Sequence, residues 1–180
     1  KVAREIELEK GASAPSVAMK ANRSARVPLP HIFATTVLSE DFNSGFPAGW
    51  TAIDNEGNGV VWSVPQAGEG NYTGGTGDAV GASSDDFGPA AFDTELWTPS
   101  ITGFGPNVVL SYTANYQNFA AFDFLDVDIS TDGGANWTTV LSWNEDHGGF
   151  FGPPGEQVAL ALDPFIGAAT EFILRWRWYD

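Results

Sequence analysis

Leu125-Asp126-Val127-Asp128-Ile129-Ser130-Thr131-Asp132-Gly133-Gly134-Ala135-Asn136-Trp137 is the stretch that decides the fold. Leu125, Val127 and Ile129 alternate with Asp126, Asp128 and Ser130, the two-residue period of a half-buried strand with its carboxylates turned away from the core. The strand runs into Asp132-Gly133-Gly134, where an Asp side chain bonds backbone amides and glycines accept positive φ, so the chain reverses. Residues 137–143 then resume the alternation. Ser130, Asp132, Gly134 and Trp137 are therefore assigned a structural role in an antiparallel hairpin, with Trp137 packed beneath the turn.

The same period recurs on either side. Val108, Leu110, Tyr112, Ala114 and Tyr116 alternate with Val109, Ser111, Thr113 and Asn115, and residues 157–162 repeat the pattern. Phe172, Leu174, Trp176 and Trp178 point one way, with Ile173, Arg175, Arg177 and Tyr179 opposite them. Glycine and proline punctuate the intervals and no stretch sustains a helical period. The expected fold is all-β, an antiparallel jelly-roll β-sandwich with an extended N-terminal arm.

Charge divides the chain in two. Its 180 residues carry 23 acidic against 8 basic side chains, a formal net charge of −15. Residues 1–37 hold six of the cations and three carboxylates, +3, whereas residues 38–180 hold Arg175 and Arg177 against 20 acids, −18. Residues 1–37 are rich in Ala, Ser and Pro and are read as a basic arm or linker, and residues 38–180 as the sandwich. Extended, the arm spans on the order of 120 Å, enough to reach another subunit. An acidic body argues against nucleic acid and anionic membranes as partners. Mean hydropathy of −0.12 is that of a globular chain and predicts no membrane insertion. Without cysteine, disulfides and thiol catalysis are excluded, and two distant histidines, His31 and His147, support neither a zinc cluster nor a hydrolase triad. The chain starts at Lys1 with no apolar signal core, as a processed form or a fragment would.

Three segments carry a family resemblance. Residues 39–50, Ser-Glu-Asp-Phe-Asn-Ser-Gly-Phe-Pro-Ala-Gly-Trp, lead into Thr51-Ala52-Ile53-Asp54-Asn55-Glu56-Gly57-Asn58-Gly59. With Glu95-Leu96-Trp97-Thr98-Pro99-Ser100-Ile101 and the hairpin at 125–137, they resemble, in order, the bacterial cleaved-adhesin domain, also called choice-of-anchor J and related to MAM domains. The resemblance implies a jelly-roll sandwich on a secreted or cell-surface protein, with adhesive or accessory roles and often calcium. Such domains finish with a further strand ending in an Ile-Asp-Asp-Val-like segment, whereas this chain stops at Tyr179-Asp180. Either the chain is truncated or the closing strand comes from elsewhere, and the basic arm is a candidate donor. Ser130-x-Asp132-x-Gly134-x-x-Trp137 also resembles the Asp box of sialidases and surface proteins, a hairpin device rather than an active site.

Asp54-x-Glu56-x-Asn58-Gly59 partly matches a calcium loop, because alternating loop oxygens can converge on a hard cation; Glu at the second position and the lack of a bidentate Glu at position 12 depart from it. Glycine-rich polar turns look the same without metal. Glu40 and Asp41 are a second candidate metal site. Asp123, Asp126 and Asp128, with Asp85 and Asp86, read as a solvated face. Asn144-Glu145-Asp146-His147 has acid–base character but reads as a loop beside Gly148-Gly149. Tyr72, Tyr116 and Phe119 are candidate ligand contacts, with Phe150 and Phe151 beside them; ordinary sandwich core is the competing explanation.

The resulting expectation is a secreted, non-catalytic, adhesin-like subunit that associates with copies of itself through the arm, by β-strand donation. The alternative is a carbohydrate- or protein-binding accessory module of a larger secreted hydrolase. Extracellular or cell-surface location and a structural calcium complete the expectation.

Overall fold

The computed structural model describes residues 35–64, 70–84, 91–119 and 122–180. Residues 1–34 of the arm, and Asp85 and Asp86, lie outside the described residues.

Period-2 patterning becomes strands where it was expected. In chain order they are β1 (Thr51–Asp54), β2 (Asp93–Trp97), β3 (Ile101–Thr102), β4 (Val109–Ala114), β5 (Phe124–Ser130), β6 (Thr138–Trp143), β7 (Glu156–Ala161) and β8 (Glu171–Tyr179), with one helical turn, α1 (Asp163–Ile166), before β8. All pairings are antiparallel. The larger sheet runs β1-β2-β8-β5-β6, with β3 pairing the start of β8, and the smaller holds β4 and β7. β2 and β3 lie along one strand, interrupted at Pro99, which has no amide proton to give to a ladder. Thr98 bridges the gap: its amide donates to the Leu174 carbonyl and its Oγ1 accepts the Leu174 amide at 3.0 Å.

The sheets close on each other through the inward-facing rows. Val60, Phe92, Tyr116, Leu125, Trp143, Val158 and Trp178 form one apolar cluster, and Ile101, Ile129, Leu162, Ile166, Phe172 and Leu174 a second. Trp176 packs against both, with Tyr112 edge-on at 5.5 Å and Trp50 stacked at 6.3 Å. Both sheets supply each layer, so the molecule is the expected antiparallel jelly-roll sandwich.

One expectation changes, that of the carboxylate row. The last strand in the chain, β8, lies at the centre of the larger sheet between β2 and β5. Among the described residues the open backbone edges are those of β1 and β6 in the larger sheet and of both strands in the β4–β7 sheet. The carboxylate row of β5 does face away from the core, but it is not solvated: Asp126 and Asp128 are buried, Asp128 to 2% exposure, as is Asp123 just before the strand. Long side chains of β8 lie over it. Alternation reveals which face a residue occupies but not how deeply its neighbours cover it.

Candidate functional site

The hairpin between β5 and β6 is closed by side chains. Ser130 Oγ donates to Asp132 Oδ1 at 2.8 Å and accepts the Gly134 amide at 2.9 Å, while Asp132 accepts both the amide and the side-chain Nδ2 of Asn136. These donors, Asn136 first, hold the Asp132 carboxyl down at about 2. Gly134 has φ +92°, and a Cβ there would stand 2.8 Å from the Trp97 ring. Trp137 lies beneath Gly134 and meets Trp97 edge-on at 4.8 Å. The Ser130 hydroxyl and the Asp132 carboxylate are both spent on the turn.

Neither calcium candidate gathers a cage. Asp54 closes its own loop, Oδ1 accepting the Gly57 amide and Oδ2 the Gly59 amide, both at 2.7 Å; these amides, Gly59 first, lower its pKa. Asn58 accepts the Val60 amide and donates to the Ala91 carbonyl, and Glu56 is exposed. Glu40 accepts the Asp41 and Phe42 amides, and Asp41 accepts the Asn43 amide, which lowers its pKa. Among the described residues no three His, Cys, Asp or Glu side chains are gathered to hold a metal ion. In both loops carboxylate oxygens accept backbone amides that shape the turn.

On the outer face of the larger sheet lies a network that strand alternation did not reveal. Arg175 donates twice to Asp128 Oδ2, at 2.9 and 2.7 Å, and once to Glu95 Oε1 at 3.1 Å. Thr139 caps the other Asp128 oxygen, and Asn55 and Trp97 Nε1 complete Glu95. Arg175 also lies over the Trp137 ring at 4.3 Å, and Arg177 over Tyr179 at 4.5 Å. Arg177 forms a two-pronged pair with Asp93, which lowers the pKa of that carboxyl. The cross-strand registers Asp128↔Arg175 and Glu95↔Arg177 bring these groups together. The signal available in sequence was the pair of arginines two residues apart, the only cations of an acidic body.

At one end of the sandwich, two loops carry exposed aromatic residues. The first follows β4 and the second joins β6 to β7. They are tied by a two-bond bridge between Tyr116 and His147, by Asn118 N–H donating to Asp146 Oδ1 at 2.8 Å, and by the Asn115 and Gln117 amides donating to Gly149 O. His147 stacks on Trp143 at 3.7 Å, and its Nδ1 donates to Glu156 Oε2 at 2.8 Å. A Cβ at Gly148 would meet Asn115 Nδ2 at 2.8 Å, so glycine is needed for this close approach. Asp146 and His147 are thus consumed as braces.

What these braces present is apolar. Phe119, Phe122, Phe150 and Phe151 are 77%, 68%, 73% and 59% exposed. Phe150 and Phe151 meet edge-on at 4.4 Å, and Phe151 is held at φ +48°, a region a bulky side chain rarely adopts. Each ring left in water forgoes about 2 kcal/mol of burial. Of the candidate contacts read from sequence, Phe119 is in this group, as are Phe150 and Phe151; Phe122 was missed. Tyr116 is core instead, 5% exposed and stacked on Trp143, with burial pushing its hydroxyl up to about 12. Tyr72 is half-buried.

Comparison with known proteins gives a consistent set of relatives. Residues 35–150 match the family model described as Cleaved Adhesin Domain. Over 72 residues, 38% of the chain, the sequence is 38% identical to Hemagglutinin A of Porphyromonas gingivalis, and 36% identical to Hemagglutinin A of strain ATCC BAA-308 / W83. The match takes in 3% of the length of these curated relatives. Among solved structures, the K1 cleaved adhesin domain of Lys-gingipain from P. gingivalis W83 superposes with a TM-score of 0.59 at 22% identity, over 81% of this chain and 94% of that one. The K3 domain of the same protein gives 0.53 at 22% identity, over 80% and 95%.

Proposed function

The chain belongs to the Cleaved Adhesin Domain family, and from that premise we propose that it works outside the cell as an adhesive subunit that associates with copies of itself, accepting a β-strand from residues 1–37 of a neighbour. As a member of that family it is an adhesin-like, non-catalytic module. One observation carries the self-association: among the described residues the β4–β7 sheet has only two strands and keeps its outer backbone edges open, an arrangement that invites a further strand. Charge favours the arm as donor, +3 against −18. No part of this reading rests on calcium.

Light-scattering mass of residues 1–180 beside 38–180, with circular dichroism to show that the shorter chain folds, tests the proposal. Assemblies that vanish with the arm support it. Monomers in both sink self-association. A second reading, a binding module within a larger secreted protein, is favoured by the phenylalanine-tipped loops. It survives monomeric behaviour.

A further inference from the structure

We infer that the phenylalanine-tipped end is a docking surface for a protein partner, whose matching face carries apolar pockets rimmed by lysine or arginine. This goes beyond self-association through the arm and stands on different residues.

Four rings are presented by loops that are cross-braced rather than slack. Phe119 and Phe122 sit on one loop and Phe150 and Phe151 on the other, and the bonds joining the loops come from Asn115, Tyr116, Gln117 and Asn118 to Asp146, His147 and Gly149. Rigid aromatic anchors lose little conformational freedom on binding, which is what concentrates affinity in a few interface residues.

The chemistry left facing outward selects the partner class. A sugar site sets hydrogen-bonding side chains beside its stacking ring, to fix the hydroxyls. Here the Asn115 and Gln117 amides are spent joining the loops, the Asn118 amide closes its own loop on the Asp123 carbonyl, and phenylalanine has no polar group of its own. The rim is acidic: Glu145 and Asp146 are exposed beside Phe150, and Glu156, also exposed, holds His147. Among the described residues no lysine or arginine offsets them. Arg175 and Arg177, the only lysine or arginine side chains after residue 26, are bound to carboxylates on the outer face of the larger sheet. An apolar centre with a negative rim complements an apolar pocket with a positive one, and it repels an anionic membrane.

The test pans phage-displayed random dodecapeptides on the immobilised full chain, then measures one synthetic selected peptide by fluorescence anisotropy. Enriched sequences are expected to combine Lys or Arg with Leu, Phe or Trp. Binding is expected to weaken about tenfold or more in Phe150→Ser/Phe151→Ser, as loss of central anchors does. A severalfold weakening is expected in Glu145→Lys, and again on raising NaCl from about 0.05 to 0.5 M. Near-UV circular dichroism checks that the double variant is folded, and Glu145→Lys keeps the test alive if it is not. Absence of enrichment, enrichment of acidic peptides, or equal binding by both variants overturns the proposal. So does phosphatidylcholine-vesicle binding that is lost in the double variant, which would assign the surface to lipid. A chain dimer abolished by the same variant would assign it to a second copy and equally overturn the proposal.

Discussion

The outer face of the larger sheet and the loop end of the sandwich handle their side chains in opposite ways. On the sheet, charged groups are buried: Asp128 is 2% exposed and Glu95 7%, yet each carboxylate is filled by arginine, threonine, asparagine or indole donors. At the loop end, four phenylalanines stand in water while the polar side chains beneath them are turned inward. Burying ions costs free energy that only complete pairing offsets, so the sheet face is built for structure. Exposed rings forgo burial that folding would otherwise gain, so the loop end is poised to recover it on contact.

If that contrast is right, substitutions on the two surfaces separate stability from binding. The largest effect belongs to Arg175→Ala, which strands two buried carboxylates. Denaturant unfolding is expected to show a loss of about 3–5 kcal/mol, and a loss under 1 would show that water fills the gap and the network is not structural. Gly134→Ala comes next. A methyl group at φ +92° and 2.8 Å from Trp97 is expected to cost about 1–3 kcal/mol by the same measurement. Recovery in Gly134→Ala/Trp97→Leu would assign the cost to the ring rather than to the backbone.

The hairpin carboxylate adds a pH-dependent effect. Asp132 titrates at about 2 when folded, below its ordinary 3.8. Its contribution is therefore fully present above 3.8 and lost as pH falls through about 2. Thermal melts of the wild type are expected to fall more steeply between pH 4 and 2 than those of Asp132→Asn, and parallel curves would remove Asp132 from the account. The smallest effect is that of Phe150→Ser/Phe151→Ser on stability, within about 0.5 kcal/mol as for surface substitutions generally. A loss of 2 or more would mean that these rings support the fold, and the comparison between the two regions would collapse.

Much of the fold could be read from the sequence. Strands β4 to β8 announce themselves through alternation, and the hairpin through Ser130, Asp132, Gly134 and Trp137, because both depend on neighbours a few residues away. The short β3 was not legible, since two residues at Ile101–Thr102 carry no period and exist only by pairing with Phe172 and Glu171. The candidate site was legible in part. Phe119, Phe150 and Phe151 drew attention by lying in or beside loops, but the same reasoning included Tyr116, which the bridge to His147 carries into the core.

Composition, period and turn chemistry were enough to settle an all-β, acidic, cysteine-free domain with a structural hairpin, since each is a property of the chain or of adjacent residues. Which polar groups are buried was decided by assembly. Asp128 meets Arg175 across 47 positions and Glu95 meets it across 80, through registers that exist only when β8 enters between β2 and β5. The same holds for the four phenylalanines, whose grouping at one end follows from the bonds between two loops. Solvent exposure depends on what packs over a residue, and that is a property of the folded neighbourhood rather than of the residue's own place in the pattern.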